Sequence, residues 1–180
     1  MAAMSDSYEY VVAKEIEGSY AVKRVLALIG YFLFGILEFI VVYASKLFVL
    51  FAFAPVTIWM LVYFTWPYFS VEHEYAMIGG NITFSEIYGG RRRKEKFSIR
   101  ISSFDVIAPY DNEHRKEIAA YKATVEYNAF SSDKNPSSPY FALFTDKKGK
   151  KCVFFFEATN RTLRILKYYN TATVMTTVSI

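Results

Sequence analysis

Few side chains in this sequence are suited to chemistry, and their spacing does not assemble a catalyst. The two histidines, His73 and His114, are far apart. His73 stands between Glu72 and Glu74, an order that on a strand sends the carboxylates to the face opposite the imidazole. His114 falls in a charged stretch and reads as solvated. The single cysteine, Cys152, sits beside Val153 and Phe154 and reads as a packed thiol, not a nucleophile. One cysteine excludes an intrachain disulfide, and a metal site needs more ligands than this set offers. The sequence contains neither G-x-S-x-G nor a phosphate-binding G-x-x-x-x-G-K-[ST]. No enzyme activity, cofactor or metal ion is expected.

Two features remain. The stretch GGRRRKEKFSIR, residues 89–100, places Arg91, Arg92, Arg93, Lys94 and Lys96 in six positions, interrupted only by Glu95. Such a run can touch anionic lipid headgroups, at about 1 kcal/mol per basic residue near the surface, or it can fix the side of a membrane on which the chain stays. Lys147, Lys148, Lys150 and Lys151 form a second cluster, at what reads as a hairpin tip. The other feature is Glu38, an ionisable group inside an apolar run, with Pro55 in the apolar run that follows. An intramembrane carboxyl is by default a functional candidate. Folding the two runs about residues 45–46 sets Glu38 level with residues 53–54. A neutral Glu38 can there donate to backbone that Pro55 frees, at the carbonyl of Phe51.

The elements that must position these groups fall into two parts. The chain of 180 residues is 53% hydrophobic and 19% aromatic, too apolar for a soluble domain of its size. Its net charge of +4 is uneven: residues 1–70 hold four Lys/Arg against five Asp/Glu, and residues 71–180 hold seventeen against twelve. That moderate excess suits the surface of an anionic membrane and falls short of a nucleic-acid-binding face. Residues 25–44 carry one charge, Glu38, and residues 47–69 carry none. Each run approaches the ~20 residues that cross a ~30 Å hydrocarbon core, so a hairpin of two transmembrane helices is expected, following a segment 1–24 outside the membrane. Tyr20 and the group Trp66, Tyr68 and Phe69 sit at interface positions. Lys23 and Arg24 before the first run, and the basic stretch after the second, place both termini in the cytoplasm and the turn outside.

From Val71 onward the pattern is one of short strands. EYAMI and ITFSEIY flank Gly79-Gly80-Asn81, a hairpin signal. KFSIRIS alternates strictly. VIAPY, ATVEYNAF, YFALFT and KKCVFFFEA follow, with a helical turn capped by Asp111 at residues 111–121. Residues 159–170 read as a helix capped by Thr159 or Asn160, with Leu163, Leu166 and Tyr169 as its apolar stripe. About seven antiparallel strands closed by a helix make a small barrel or sandwich over residues 71–170, with residues 171–180 as a tail. The fold class is therefore α+β: a membrane hairpin, then a β-domain.

That order, strands first and one helix last, resembles the pleckstrin-homology-like (PH-like) domains of bacterial membrane proteins. MSDSYEY at 4–10, EHEY at 72–75, GGNITFSEIYGGRRRKEKFSI at 79–99 and FDVIAPYD at 104–111 are similar to an uncharacterised family of small Gram-positive bacterial membrane proteins. The resemblance implies two N-terminal helices, then a domain of this kind, and brings no catalytic or binding residue with it. Pleckstrin-homology lipid sites sit in the first strand–loop–strand. Read as Gly79-Gly80-Asn81, that loop has no basic residue, which argues against phosphoinositide-type binding. Three functions follow in order of preference: a plasma-membrane-anchored binding or scaffold module contacting anionic lipid, an assembly subunit pairing with itself or another membrane protein, and a small transporter component built around Glu38.

Overall fold

The computed structural model describes residues 7–175. Strand β1, Ser7–Ala13, comes first. It pairs antiparallel with β2, Val71–Ile78, in the register Ser7↔Ile78 to Ala13↔Glu72. The segment expected to stand apart from the β-domain is thus its edge strand, and everything between residues 14 and 70 is an excursion from a β-hairpin. Tyr8, Tyr10 and Val12 alternate inward, a short signal hidden by the charged residues around it.

The excursion begins with helix α1, Gly18–Ser45. At about 1.5 Å per residue it is roughly 42 Å long, enough to cross a ~30 Å apolar core. Only 6% of its apolar window is buried, so it is not the core helix of this chain. The expected second helix over 47–69 is broken. A 3-10 turn, Phe48–Ala52, leads through Phe53 into α2, Ala54–Thr65, and a second 3-10 turn, Trp66–Phe69, ends the limb. Pro55 therefore lies in the first turn of a helix, not in the middle of one. Its missing N–H costs nothing there, because first-turn amides have no intrahelical partner. By length and composition, one helix of the described residues qualifies as a membrane span.

The β-domain holds two four-stranded sheets. The first runs β1-β2-β3-β4, with β3 Asn81–Tyr88 and β4 Arg92–Arg100. Gly79 and Gly80, with φ of 55° and 76°, make the two-residue turn between β2 and β3 that right-twisted strands favour. The second sheet runs β5-β7-β8-β6: β5 Phe104–Pro109, β6 Val125–Asn128, β7 Pro139–Thr145 and β8 Lys151–Glu157. It is not all antiparallel, since β6 pairs parallel with β8. Helix α3, Arg115–Tyr121, makes the crossover between β5 and β6. Asp111 Oδ1 accepts from the amides of Glu113 and His114 at 3.0 Å, so it caps the turn before α3 instead of the helix itself. Helix α4, Asn160–Tyr169, starts where Thr159 Oγ1 accepts from the Thr162 amide at 3.1 Å.

Both faces of β7 and β8 are covered, which explains their nearly unbroken apolar sequences. Phe144, Phe154 and Phe156 face the first sheet and α4. Phe141, Leu143, Val153 and Phe155 face α3 and the loop before it. Leu163, Ile165 and Leu166 of α4 are buried and Tyr169 packs at the edge of the same core. The tail continues as far as an isolated bridge, Ile107↔Val174; residues 1–6 and 176–180 lie outside the description.

His73 is buried against Phe84, and neither ring nitrogen has a hydrogen-bond partner among the described residues. Burial holds its pKa down at about 4, against the opposing pull of Glu86. The unfolded chain, with an ordinary value near ~6.5, binds the proton more readily. Stability from this group is therefore complete above about pH 6.5 and falls as pH drops toward 4. Chemical denaturation should show the wild type losing more stability than His73→Phe between pH 7 and pH 4.5. Parallel losses would show that His73 does not bury as a neutral ring.

Candidate membrane-junction site

The basic run lies not in a loop but on β4 and the turn before it, beside the point where the apolar excursion returns to the sheet. Gly89 sets this approach. A Cβ there would lie 2.7 Å from Pro67 Cβ, and its φ of +59° already favours glycine. With the turn held against Pro67, Arg91 donates to Tyr63 Oη at 3.1 Å and stands 5.4 Å from that ring's centroid. Arg92 donates to Tyr68 Oη at 2.9 Å and stands 5.9 Å from its ring. From α1, Arg24 lies 5.0 Å from the Trp66 ring. Three guanidinium groups thus meet three aromatic rings at the polar end of the apolar limb. Cation–π pairing leaves the guanidinium edges free for further acceptors. A cavity of about 510 Å³ opens here, lined by Trp59, Tyr63, Trp66 and Arg91 among others.

The remaining members of the run have different roles. Arg93 pairs with Glu74, a buried carboxylate on β2, and lies 3.5 Å from Glu9 on β1. Lys96 pairs with Glu86 at 2.8 Å. Lys94 is exposed and has no carboxylate partner among the described residues. The bulge near Phe84 and Ser85 puts these last residues out of the simple alternation expected of a continuous strand. The five charges expected to act together are therefore split: Arg91 and Arg92 at the junction, Lys94 in solvent, Arg93 and Lys96 in ion pairs. The lysine cluster is elsewhere too. Lys151 lies over the Tyr121 ring at 5.0 Å, and Lys147, Lys148 and Lys150 sit at the β7–β8 tip.

Glu38 faces the return limb, but one turn from the expected level and with a different partner. Its Oε1 lies 2.7 Å from Thr57 Oγ1, which is also 2.9 Å from the carbonyl of Ala54. The 3-10 turn and the break at Phe53 use residues to make the bend, so the antiparallel register moves. Pro55, at a helix start, frees no carbonyl for Glu38. Tyr31 Oη lies 2.7 Å from Thr65 Oγ1, and a Cβ on Gly35 would lie 3.3 Å from Ile58 Cδ1. Arg24, Ala27, Tyr31, Gly35, Glu38 and Val42 recur every three or four residues as the less exposed face of α1. This is a seam of small and polar residues, as packed helices in lipid use.

The start of α1 is also tied to the domain. Val71 N donates to Tyr20 Oη at 3.1 Å. Glu17 Oε1 accepts from Ser132 Oγ at 2.6 Å and from Asp133 N at 2.7 Å, which pulls its pKa down. The loop before β7 is thereby fixed at the start of α1.

The family model described as Bacterial PH-like domain (DUF6106) matches residues 5–176. The chain belongs to this family. No curated protein and no solved structure matches the sequence. The match includes β1 and the whole apolar excursion, so in this PH-like domain the connection between the first two strands is the apolar segment itself. Gly79-Gly80 joins the second strand to the third, and the argument against lipid binding drawn from that turn falls away. Sequence reasoning also missed Arg24, Tyr63 and Glu74. Arg24 read only as an orientation charge, Glu74 only as a strand carboxylate facing away from His73, and nothing in the local pattern singled out Tyr63.

Within the run, Arg93 supports the fold and Arg92 does not. Replacing Arg93 by Gln leaves the buried Glu74 without its cation. That should lower unfolding stability by about 2 kcal/mol, allowing for the half-exposed guanidinium. Arg92→Gln should cost under about 1 kcal/mol. Denaturation in detergent compares them; equal losses would remove the division of roles.

Proposed function

We propose that this protein is a membrane-anchored, non-enzymatic binding or scaffold module. Its excursion holds the PH-like domain against the cytoplasmic face of the plasma membrane, and Arg24, Arg91 and Arg92 meet anionic headgroups there. The observation that carries the reading is the β1–β2 pairing. Ala13 lies opposite Glu72, and Lys14 N donates to Val71 O at 3.1 Å, so the chain leaves and re-enters the domain at one place. An apolar segment that crosses a bilayer from such a place must cross back.

Beyond the bend, α2 and the 3-10 turn after it extend roughly 26 Å, at about 1.5 Å and about 2 Å per residue, close to the ~30 Å that the limb has to re-cross. A cleaved signal sequence fits poorly, because removing α1 would also remove β1 and the seam to the return limb. The exposed apolar surface of both limbs, from Val22 to Phe64, needs lipid or protein around it. The arginine–aromatic pairs lie where headgroups begin, and the domain's positive charge favours the cytoplasmic side.

Impermeant maleimide labelling of intact cells tests the topology. In a Cys152→Ala background, Ser45→Cys should label from outside and Asn135→Cys only after permeabilisation. Labelling of both from one side would overturn the two-pass reading. In micelles, added phosphatidylglycerol should raise the thermal midpoint of wild type by several degrees, and the rise should disappear in the double variant Arg91→Gln, Arg92→Gln. An equal rise in the variant would remove the headgroup contact.

A further inference from the structure

A second surface lies away from the junction. The two sheets do not close on each other along one side, and a groove of about 820 Å³ runs between β4 and β6, under the β7–β8 tip. Both strands are edges: β4 pairs only with β3, and β6 only with β8. Ile99, Val125 and Tyr127 form a half-exposed floor above buried Phe97 and Phe144. Arg100, Lys147, Lys148 and Lys150 form an exposed rim with no carboxylate partner among the described residues. Of the acidic residues in the lining, Asp146 is engaged by the amides of Lys148 and Lys150 at 2.8 Å, and Glu95 lies at the opposite end.

We infer that this groove binds an extended acidic peptide segment of a partner protein, which adds as a strand to the free edge of β4. Three observations select that occupant. An unpaired edge offers main-chain donors and acceptors that only another backbone satisfies along its length. On β4, Arg92, Lys94 and Arg100 have no carboxylate partner among the described residues and outnumber Glu95, a charge that repels a second copy of the same edge and attracts carboxylates. The position is remote from the arginine–aromatic pairs: Arg100 is eight residues along β4 from Arg92, about 27 Å at ~3.4 Å per residue. The part of β4 that lines the groove accommodates five or six residues of strand. Alternate apolar side chains then cover Ile99, Val125 and Tyr127, and the acidic ones between them face Arg100 and the lysine tip.

The test uses full-length protein in neutral detergent, without lipid, so its outcome does not depend on how the excursion crosses a membrane. The probe is a fluorescein-labelled peptide, Glu-Val-Glu-Phe-Glu-Val-Glu, followed by anisotropy. Saturable micromolar binding is expected, at least tenfold weaker for the double variant Arg100→Glu, Lys148→Glu and for a peptide N-methylated at alternate amides. Hydrogen exchange should show new protection on β4 when the unmodified peptide is bound, a readout that charge attraction alone would not give. Absence of saturable binding overturns the proposal. So does equal binding of the N-methylated peptide, which would reduce the groove to a patch of charge. Displacement of the peptide by phosphatidylglycerol vesicles, lost in the double variant, would overturn it in favour of a lipid surface.

Discussion

The pairing of β1 with β2 is the constraint on which the rest of this structure depends. Those strands are separated by the whole apolar excursion, yet they form one hairpin. Closing so long a loop costs entropy, though the cost grows only slowly with length. It is offset where the two limbs pack along the seam from Arg24 to Val42, because a pre-formed helical pair already brings its ends together. Tyr20, Glu17 and the Ser131–Asp133 loop then fix the pair to the sheets. The apolar excursion is therefore built into the domain.

That construction gives the arginines their different roles. Positions two residues apart on β4 would normally share a face, but the turn at Gly89 and the bulge opposite Phe84 separate them. Arg91 and Arg92 reach the aromatic end of the return limb, Arg93 neutralises a carboxylate that the sheet has buried, and Lys96 does the same for Glu86. A run of like charge is tolerated because most of it is paired with something: rings at the junction, carboxylates on the sheet. Lys94 on the strand is without a carboxylate among the described residues, as are Arg100 and the lysines around the groove, where an open sheet side and basic rim coincide.

The second sheet shows how covering both faces simplifies sequence. YFALF and CVFFF hold almost no polar residue because α3 and its flanking loop cover the face that would otherwise meet water. Helix α3 carries the chain from β5 across to the far side of the sheet, where β6 pairs parallel with β8, and β7 makes the connection between those two strands. The same strand order leaves β6 as a free edge of the second sheet, as β4 is of the first.

By itself the sequence determined the long apolar helix, the strands β2, β3 and β5 to β8 in close outline, the later half of β4, the Gly79-Gly80 turn and the capped closing helix. Each rests on local periodicity or turn chemistry, which short stretches carry in full. The basic run and Glu38 were also visible as residues that needed partners. Only the tertiary structure decided who those partners are. β1 could not be read as part of the domain because its partner lies nearly sixty residues away, beyond any local pattern. Pro55 changed from a kink to a helix start because the bend between the limbs is spread over a 3-10 turn that apolar composition does not encode. Glu38 met Thr57, and Arg93 met Glu74, through register and a bulge, which are properties of paired elements and not of either one alone.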